Sequence, residues 1–154
     1  MSVNNHDQLA VFTLDGNKYA LRISVVERML RSVEMTSLPD LPDIVSGIIN
    51  LQGKVIPVFN VRRRFRLPER EMDVSDHLII ARAQNRTVAL LVDEVLGIHA
   101  CMPAEIVQPG EIMLSMEYIE GVVKTTDGMI LIHDLNRFLS FDEQSTLDAA
   151  LSDH

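Results

Sequence analysis

One pattern occurs twice in this chain and restricts its fold more than any other feature. Gly47-IINLQ-Gly53-KVIPVF-Asn60-VRRR-Phe65 is echoed by Gly121-VVKTTD-Gly128-MILIH-Asp134-LNR-Phe138. Each copy has a Gly, a short apolar run, a Gly-bearing turn, a second apolar run, an Asn or Asp, and a closing Arg-Phe. Apolar runs joined by a Gly turn read as hairpins, because Gly supplies the positive φ that tight turns need. Asn60 can cap a short helix over Val61 to Phe65. Pro57 lacks a backbone donor, which suggests an edge position or a bulge. The echo predicts two similar β modules, each closed by a short helix; chance recurrence of apolar hairpins is the alternative. Upstream, Leu38-Pro-Asp-Leu-Pro-Asp43 can continue neither a helix nor a central strand.

The flanking segments read the same way. Leu9 to Leu14 and Lys18 to Ile23 surround the turn Asp15-Gly16-Asn17. Ser24 to Arg31 fits either a short helical stripe or a helical turn running into a strand. Arg66 to Ser75 reads as a loop. His77 to Ala83 and Thr87 to Val92 are two strands around Gln84-Asn85-Arg86. Val95 to Met102 predicts another strand, with Gly97 permitting a bulge. Pro103 suits the first turn of a short helix. Gln108 to Met116 is loop-like, and Tyr118 to Lys124 and Met129 to His133 form a further hairpin. Asn136 to Leu151 predicts a helix in two pieces meeting near residues 140–142, with Asp142 as a cap.

Charge and cysteine content remove several classes of function. A formal net charge of −8 argues against a general nucleic-acid binder. The lone Cys101 excludes an intramolecular disulfide and a multi-cysteine zinc site. No apolar run reaches the roughly 18 residues of a membrane span. The polar start, MSVNNHDQ, does not resemble a signal peptide, so a cytoplasmic location is expected.

Chemistry-bearing motifs are sparse. There is no phosphate-binding GxxxxGK[ST], no GxGxxG, no HExxH and no cysteine cluster. His6, His77, His99, His133 and His154 are scattered. The neighbours His133 and Asp134 could orient a base, but no nucleophile is specified beside them, and a hydrogen-bonded structural histidine is the simpler reading. Asp93-Glu94 could be half of a metal site; turn chemistry after a strand is simpler. Cys101 reads as a buried small hydrophobe. Arg62-Arg63-Arg64-Phe65-Arg66 is the only basic cluster, and the ordinary reading is a solvated helix face. Among the eight methionines, Met29, Met35, Met113 and Met116 stand near edges or loops, where they can serve adaptable binding surfaces. These residues favour a binding module over an enzyme.

The run Gly47-Ile-Ile-Asn50-Leu-Gln-Gly53-Lys-Val-Ile-Pro57-Val-Phe-Asn60-Val-Arg62 resembles the signature of CheW-like chemotaxis adaptor domains. The likeness extends over nearly the whole chain. It implies a mainly β fold of two small SH3-like β-barrel subdomains packed together, with short helices and a C-terminal helix. The expected division is a flexible segment 1–8 and a single domain 9–151. Within that domain the first barrel takes about 9–61 plus the helix 136–151, and the second about 77–133. The resemblance implies a non-enzymatic adaptor without cofactor or metal, recruited to membrane-associated receptor arrays without inserting in the membrane. Its partners would be the regulatory domain of a CheA-type histidine kinase and the cytoplasmic tip of chemoreceptors, with no nucleic acid. By position, the kinase-facing residues are Val26, Arg28 and Met29. The receptor-facing residues are Asn50, Leu51, Gln52, Gly53 and Val55, with Val95 and Ile98 from the second barrel. The family often has an acid at position 28 and an arginine at position 52, lying close across adjacent strands; Arg28 and Gln52 depart from both. A scaffold of a non-motility chemosensory pathway, or a self-associating interaction module, remains the alternative.

Overall fold

The apolar alternations become strands wherever a permissive turn closes them. The computed structural model describes residues 7–31, 34–69, 73, 75–83, 86–108, 118–126 and 128–152. In chain order the elements are β1 (Asp7–Leu14), β2 (Asn17–Arg22), β3 (Val26–Arg31), β4 (Val45–Leu51), β5 (Lys54–Phe59), α1 (Val61–Arg64), β6 (His77–Ala83), β7 (Arg86–Val92), β8 (Glu94–Cys101), β9 (Ile106–Val107), β10 (Ile119–Thr125), β11 (Gly128–His133) and α2 (Phe141–Ser152). Asp15 (φ 52°) and Gly16 (φ 79°) turn β1 into β2, and Gln52 (φ 53°) and Gly53 (φ 86°) turn β4 into β5. Two successive positive φ angles give the turn handedness that matches twisted strands.

The strands form two sheets, ordered β8-β1-β2-β11-β10-β9 and β3-β6-β7-β5-β4. Both follow one plan. An outer strand is followed by an antiparallel hairpin, β1–β2 or β6–β7. A parallel step follows, β2–β11 or β7–β5, and then a second hairpin, β11–β10 or β5–β4. The second hairpins are the two copies of the sequence echo. Each has a register shift beside its first glycine, between Val45 and Gly47 and between Ile119 and Gly121. Each ends in a capped turn: the Asn60 side chain accepts from the Arg63 N–H at 3.1 Å, and Asp134 from the Asn136 N–H at 3.0 Å. Pro57 lies in β5, before the parallel pairing to β7 begins at Val58, so its missing donor leaves no gap in that ladder.

The sheets do not divide the chain at the expected boundaries. Continuous barrels over about 9–61 and 77–133 would place β1 to β5 together. Instead β1 and β2 join β8 to β11, while β3, β4 and β5 join β6 and β7. The chain crosses between the sheets at the 3-10 turn Ile23–Val25 and again at Asp93. Hairpins form between sequence neighbours, whereas sheet membership is decided by pairings between distant segments, the two parallel steps and the antiparallel pairs β1–β8 and β3–β6. Nor does a free segment 1–8 describe Asp7 and Gln8, which pair with Cys101 and Ala100; residues 1–6 lie outside the described residues. So do the turn at 84–85, the loop segment 109–117 with Met113 and Met116, and His6 and His154.

The ambiguous segment 24–31 resolves as a helical turn running into β3. The C-terminal segment is two pieces, Leu135–Arg137 and α2. The cap of α2 is Ser140 rather than Asp142. Its Oγ accepts from the Glu143 N–H at 3.1 Å, and Glu143 Oε1 accepts from the Ser140 N–H at 2.9 Å. This reciprocal capping box satisfies two otherwise orphaned donors.

Apolar residues fill three volumes. Leu9, Val11, Ile130 and Ile132 pack on one side of the first sheet. Ile49, Ile56, Leu78 and Ile80 do so in the second. The largest cluster lies at the seam and joins Phe12 and Leu21 to Phe59, Ile79, Leu90 and Leu147 of α2. The two mainly β subdomains are therefore fused by a shared core. Phe12, Tyr19, Phe59, Phe65, Tyr118 and Phe138 meet at this seam. Phe59 stacks on Phe138 with centroids 4.5 Å apart, and Tyr19 on Phe65 at 4.8 Å. No helix among the described residues is long and apolar enough to cross a membrane.

Candidate interaction surfaces

Val26, Arg28 and Met29 lie on β3, an outer strand that pairs with β6. A register shift between Val26 and Arg28 leaves Glu27 as the extra residue, so the strand twists there. Val26 and Met29 are half-buried against the seam core, and Arg28 is exposed.

Asn50, Leu51, Gln52, Gly53 and Val55 are grouped on the β4–β5 hairpin, at the other margin of the same sheet. Asn50 Oδ1 accepts from the Gly53 N–H at 2.9 Å, which fixes the turn. Gln52 and Gly53 are exposed, and Val55 is 42% exposed. Leu51 is half-buried and packs against the inner cluster of the second sheet. Arg28 and Gln52 are not on adjacent strands here: β3 and β4 occupy the two ends of the sheet order, and Arg28 pairs across to Ile80.

Val95 and Ile98 are on β8, the outer strand of the first sheet, and they do not act as a pair. Val95 packs against the seam, whereas Ile98 is 53% exposed. The expected bulge is present: Val11 pairs with Gly97 and Phe12 with Val95, leaving Leu96 as the extra residue beside Gly97 (φ 116°). Ile98 lines a cavity of about 310 Å³ with Leu96, Lys18, Thr125 and Ile130. Leu51, Val55 and Val95 are not among its walls. The residues expected to face a receptor thus fall on two surfaces, one on the hairpin and one on β8. The sequence reading missed Leu96, 50% exposed, and Met129, 45% exposed. The period-two series Leu96, Ile98, Ala100 marks the outward face of β8, and Met102 follows just beyond its end.

The basic run is not a solvated face. Arg62 is buried, and its guanidinium spans the junction of the two sheets. It donates to Asp15 Oδ1 at 2.5 Å, to the Pro68 carbonyl at 2.7 Å, and to both oxygens of Asp93 at 2.8 and 2.7 Å. The Asp15 N–H donates to Asp93 Oδ2 at 2.9 Å. Burial pushes the Arg62 pKa down, but the hydrogen bonds to Asp93 and Asp15 outweigh it and hold it above the ordinary value. Asp93 is therefore more than a turn residue: it is half of a clasp between the β1–β2 turn, α1 and the β7–β8 crossing. Arg64 lies over Tyr118 and Phe138, 4.9 and 5.2 Å from their centroids, and pairs with Glu143 of α2 at 2.6 Å. Only Arg63 of the three has the exposure expected of a charged helix face.

The candidate catalytic residues take structural places. His133 is buried with its ring 5.1 Å from both Phe65 and Phe138. Neither ring nitrogen has a hydrogen-bond partner, so it is not the satisfied histidine expected. Burial, reinforced by the Arg64 charge, lowers its pKa to about 3. Asp134 caps the following turn instead of orienting the imidazole. Cys101 is buried as expected, and burial raises its thiol pKa. Among the described residues no three His, Cys, Asp or Glu side chains converge as a metal site.

Comparison with known proteins agrees with this geometry. Residues 8–143 match the CheW-like domain. The chain is 29% identical to the chemotaxis protein CheW of Bacillus subtilis, covering 95% of this chain and 90% of that protein. It is 25% identical to the chemotaxis protein CheW of Treponema pallidum, over 96% and 91%. The crystal structure of the scaffolding protein TtCheW from Thermoanaerobacter tengcongensis superposes with a TM-score of 0.82 at 29% identity, covering 90% of this chain and 95% of that one.

Proposed function

Because the chain belongs to the CheW-like family, we propose that it is a non-enzymatic adaptor coupling chemoreceptors to a CheA-type histidine kinase in bacterial chemotaxis signalling. The observation that carries this reading is the family match over residues 8–143, which takes in both sheets and the shared seam. In this role the protein needs two docking surfaces held in a fixed relation, and it needs no cofactor. Val26, Arg28 and Met29 would take the regulatory domain of the kinase. The support is that β3 is an outer strand with two half-buried apolar residues beside an exposed cation. Asn50, Leu51, Gln52, Gly53, Val55, Val95 and Ile98 would take the cytoplasmic tip of a receptor. A receptor helix docks through spaced apolar anchors, and Ile98 and Val55 are exposed in a way that suits such contacts. The adaptor would work in the cytoplasm, drawn to the membrane by the receptors it binds.

Reconstitution tests this reading. The purified chain is mixed with the kinase and with receptor cytoplasmic fragments from the same organism, and kinase autophosphorylation is followed with and without the chain. Receptor control of the kinase should appear only when the chain is present. Binding to neither partner at micromolar concentration would overturn the assignment.

A further inference from the structure

The outer strand β3 carries charge of the wrong sign for this chain. The formal net charge is −8, yet β3 exposes Arg28 and Arg31. Arg82, on the neighbouring β6, is exposed as well, and it meets the one carboxylate of β3, Glu27, at 3.6 Å. The edge therefore holds three arginines against one acid. Of the other described arginines, Arg22, Arg62, Arg63, Arg64, Arg86 and Arg137 each face a carboxylate, and the exposed Arg66, beyond α1, is the one other without such a partner. Among the described residues Arg28 and Arg31 have neither an ion pair nor a side-chain hydrogen bond.

Charge on an outer strand also guards against edge-to-edge aggregation. Guarding works with either sign, and a chain this rich in carboxylates has no need of unmatched cations for it. Val26 and Met29 are half-buried on the seam face of the same strand, which Arg31 shares, and Arg28, opposite Ile80, stands on the other face, so an exposed guanidinium borders the apolar residues on either side of the strand. An apolar strip rimmed by unpaired guanidinium groups fits a partner whose rim carries carboxylates, since opposed potentials steer encounter and set register. We propose that β3 is a cationic docking edge whose occupant is a carboxylate-bearing surface of the kinase regulatory domain. This rests on the adaptor reading above and adds to it the sign of the contact.

The test titrates the regulatory domain of the organism's own CheA-type kinase against the native chain and against Arg28→Glu, Arg31→Glu and Arg28→Lys. Calorimetry is run at low and at high salt. Arg28→Glu should weaken binding by more than about tenfold at low salt. Much of that difference should vanish at high salt, where the Debye length shrinks to about 3 Å at 1 M. Arg31→Glu should act in the same direction, and Arg28→Lys should stay within a few-fold of the native chain. Both positions are exposed, so circular dichroism should be native throughout. If the native chain binds the domain and both Glu variants bind equally well at both salt concentrations, the cationic edge is refuted and the adaptor reading stands. If the native chain does not bind at all, both fail.

Discussion

Arg62 and His133 are buried polar residues with opposite fates. The Arg62 side chain is 10% exposed, and its charge is matched by Asp15 and Asp93. Removing one partner of a fully buried pair costs about 3–5 kcal/mol because the other charge is stranded. Asp93 and Asp15 keep some water, so Arg62→Ala should cost about 2–3 kcal/mol by urea unfolding. Arg62→Lys should recover less than half of that, since a point charge cannot reach all four acceptors at once. Full stability in both variants would remove the clasp from the account. His133 has no partner to lose, and its signature is pH dependence. In the unfolded chain an imidazole binds its proton below about pH 6.5; in the native protein burial delays that to about pH 3. The unfolded state thus binds more protons between these values, and stability falls as pH drops through that window. The slope contributed is up to about 1.4 kcal/mol per pH unit. His133→Phe should flatten the stability profile between pH 7 and 5; an unchanged profile would show that other groups cause it. Neither fate was readable in the sequence. A run of three arginines and a His-Asp neighbour pair look the same whether they face water or a core.

The secondary elements were far more legible, because each is closed by neighbours in the chain. The echo identified both second hairpins, and Asn60 was recognisable as a cap. What the echo could not reveal is why a glycine opens each copy. A Cβ at Gly47 would come within 2.9 Å of the Thr36 backbone oxygen. At Gly121 it would meet the Ile106 Cγ2 at 2.5 Å, the branch methyl of a side chain on the two-residue outer strand β9. Neither position has the positive φ that excludes other residues, so the demand is for space. Gly47→Ala should lower stability by about 1–3 kcal/mol through overpacking. Gly121→Ala should cost less, because the two-residue outer strand that carries Ile106 can shift outward as a unit. Thermal unfolding of the two variants gives the ranking, and the reverse order would show that the Ile106 side is the rigid one.

At the scale of the whole molecule, coupling two partners depends on two surfaces fixed to one rigid seam. The family resemblance puts Leu51 among the residues expected to face a receptor. Leu51 instead packs on the inner cluster of the second sheet, so a carboxylate there also loosens the core. Ile98→Asp is the cleaner probe: the residue is 53% exposed. It should lose binding to a receptor cytoplasmic fragment by about tenfold or more, as for an apolar anchor, while its circular dichroism and unfolding midpoint stay native. Native affinity in that variant would remove β8 from the receptor surface. The sequence by itself determined the hairpins, the Asn60 cap, the Gly97 bulge and the family resemblance, because these rest on contacts between neighbours and on residue order. Only the tertiary structure decided which hairpin joined which sheet, that Arg62 lies inside the junction, and that the residues expected to face a receptor fall on two separate surfaces. Those outcomes depend on the parallel steps β2–β11 and β5–β7, on the antiparallel pairs β1–β8 and β3–β6, and on the burial they impose, and the paired segments lie too far apart in the chain for any local pattern to record their meeting.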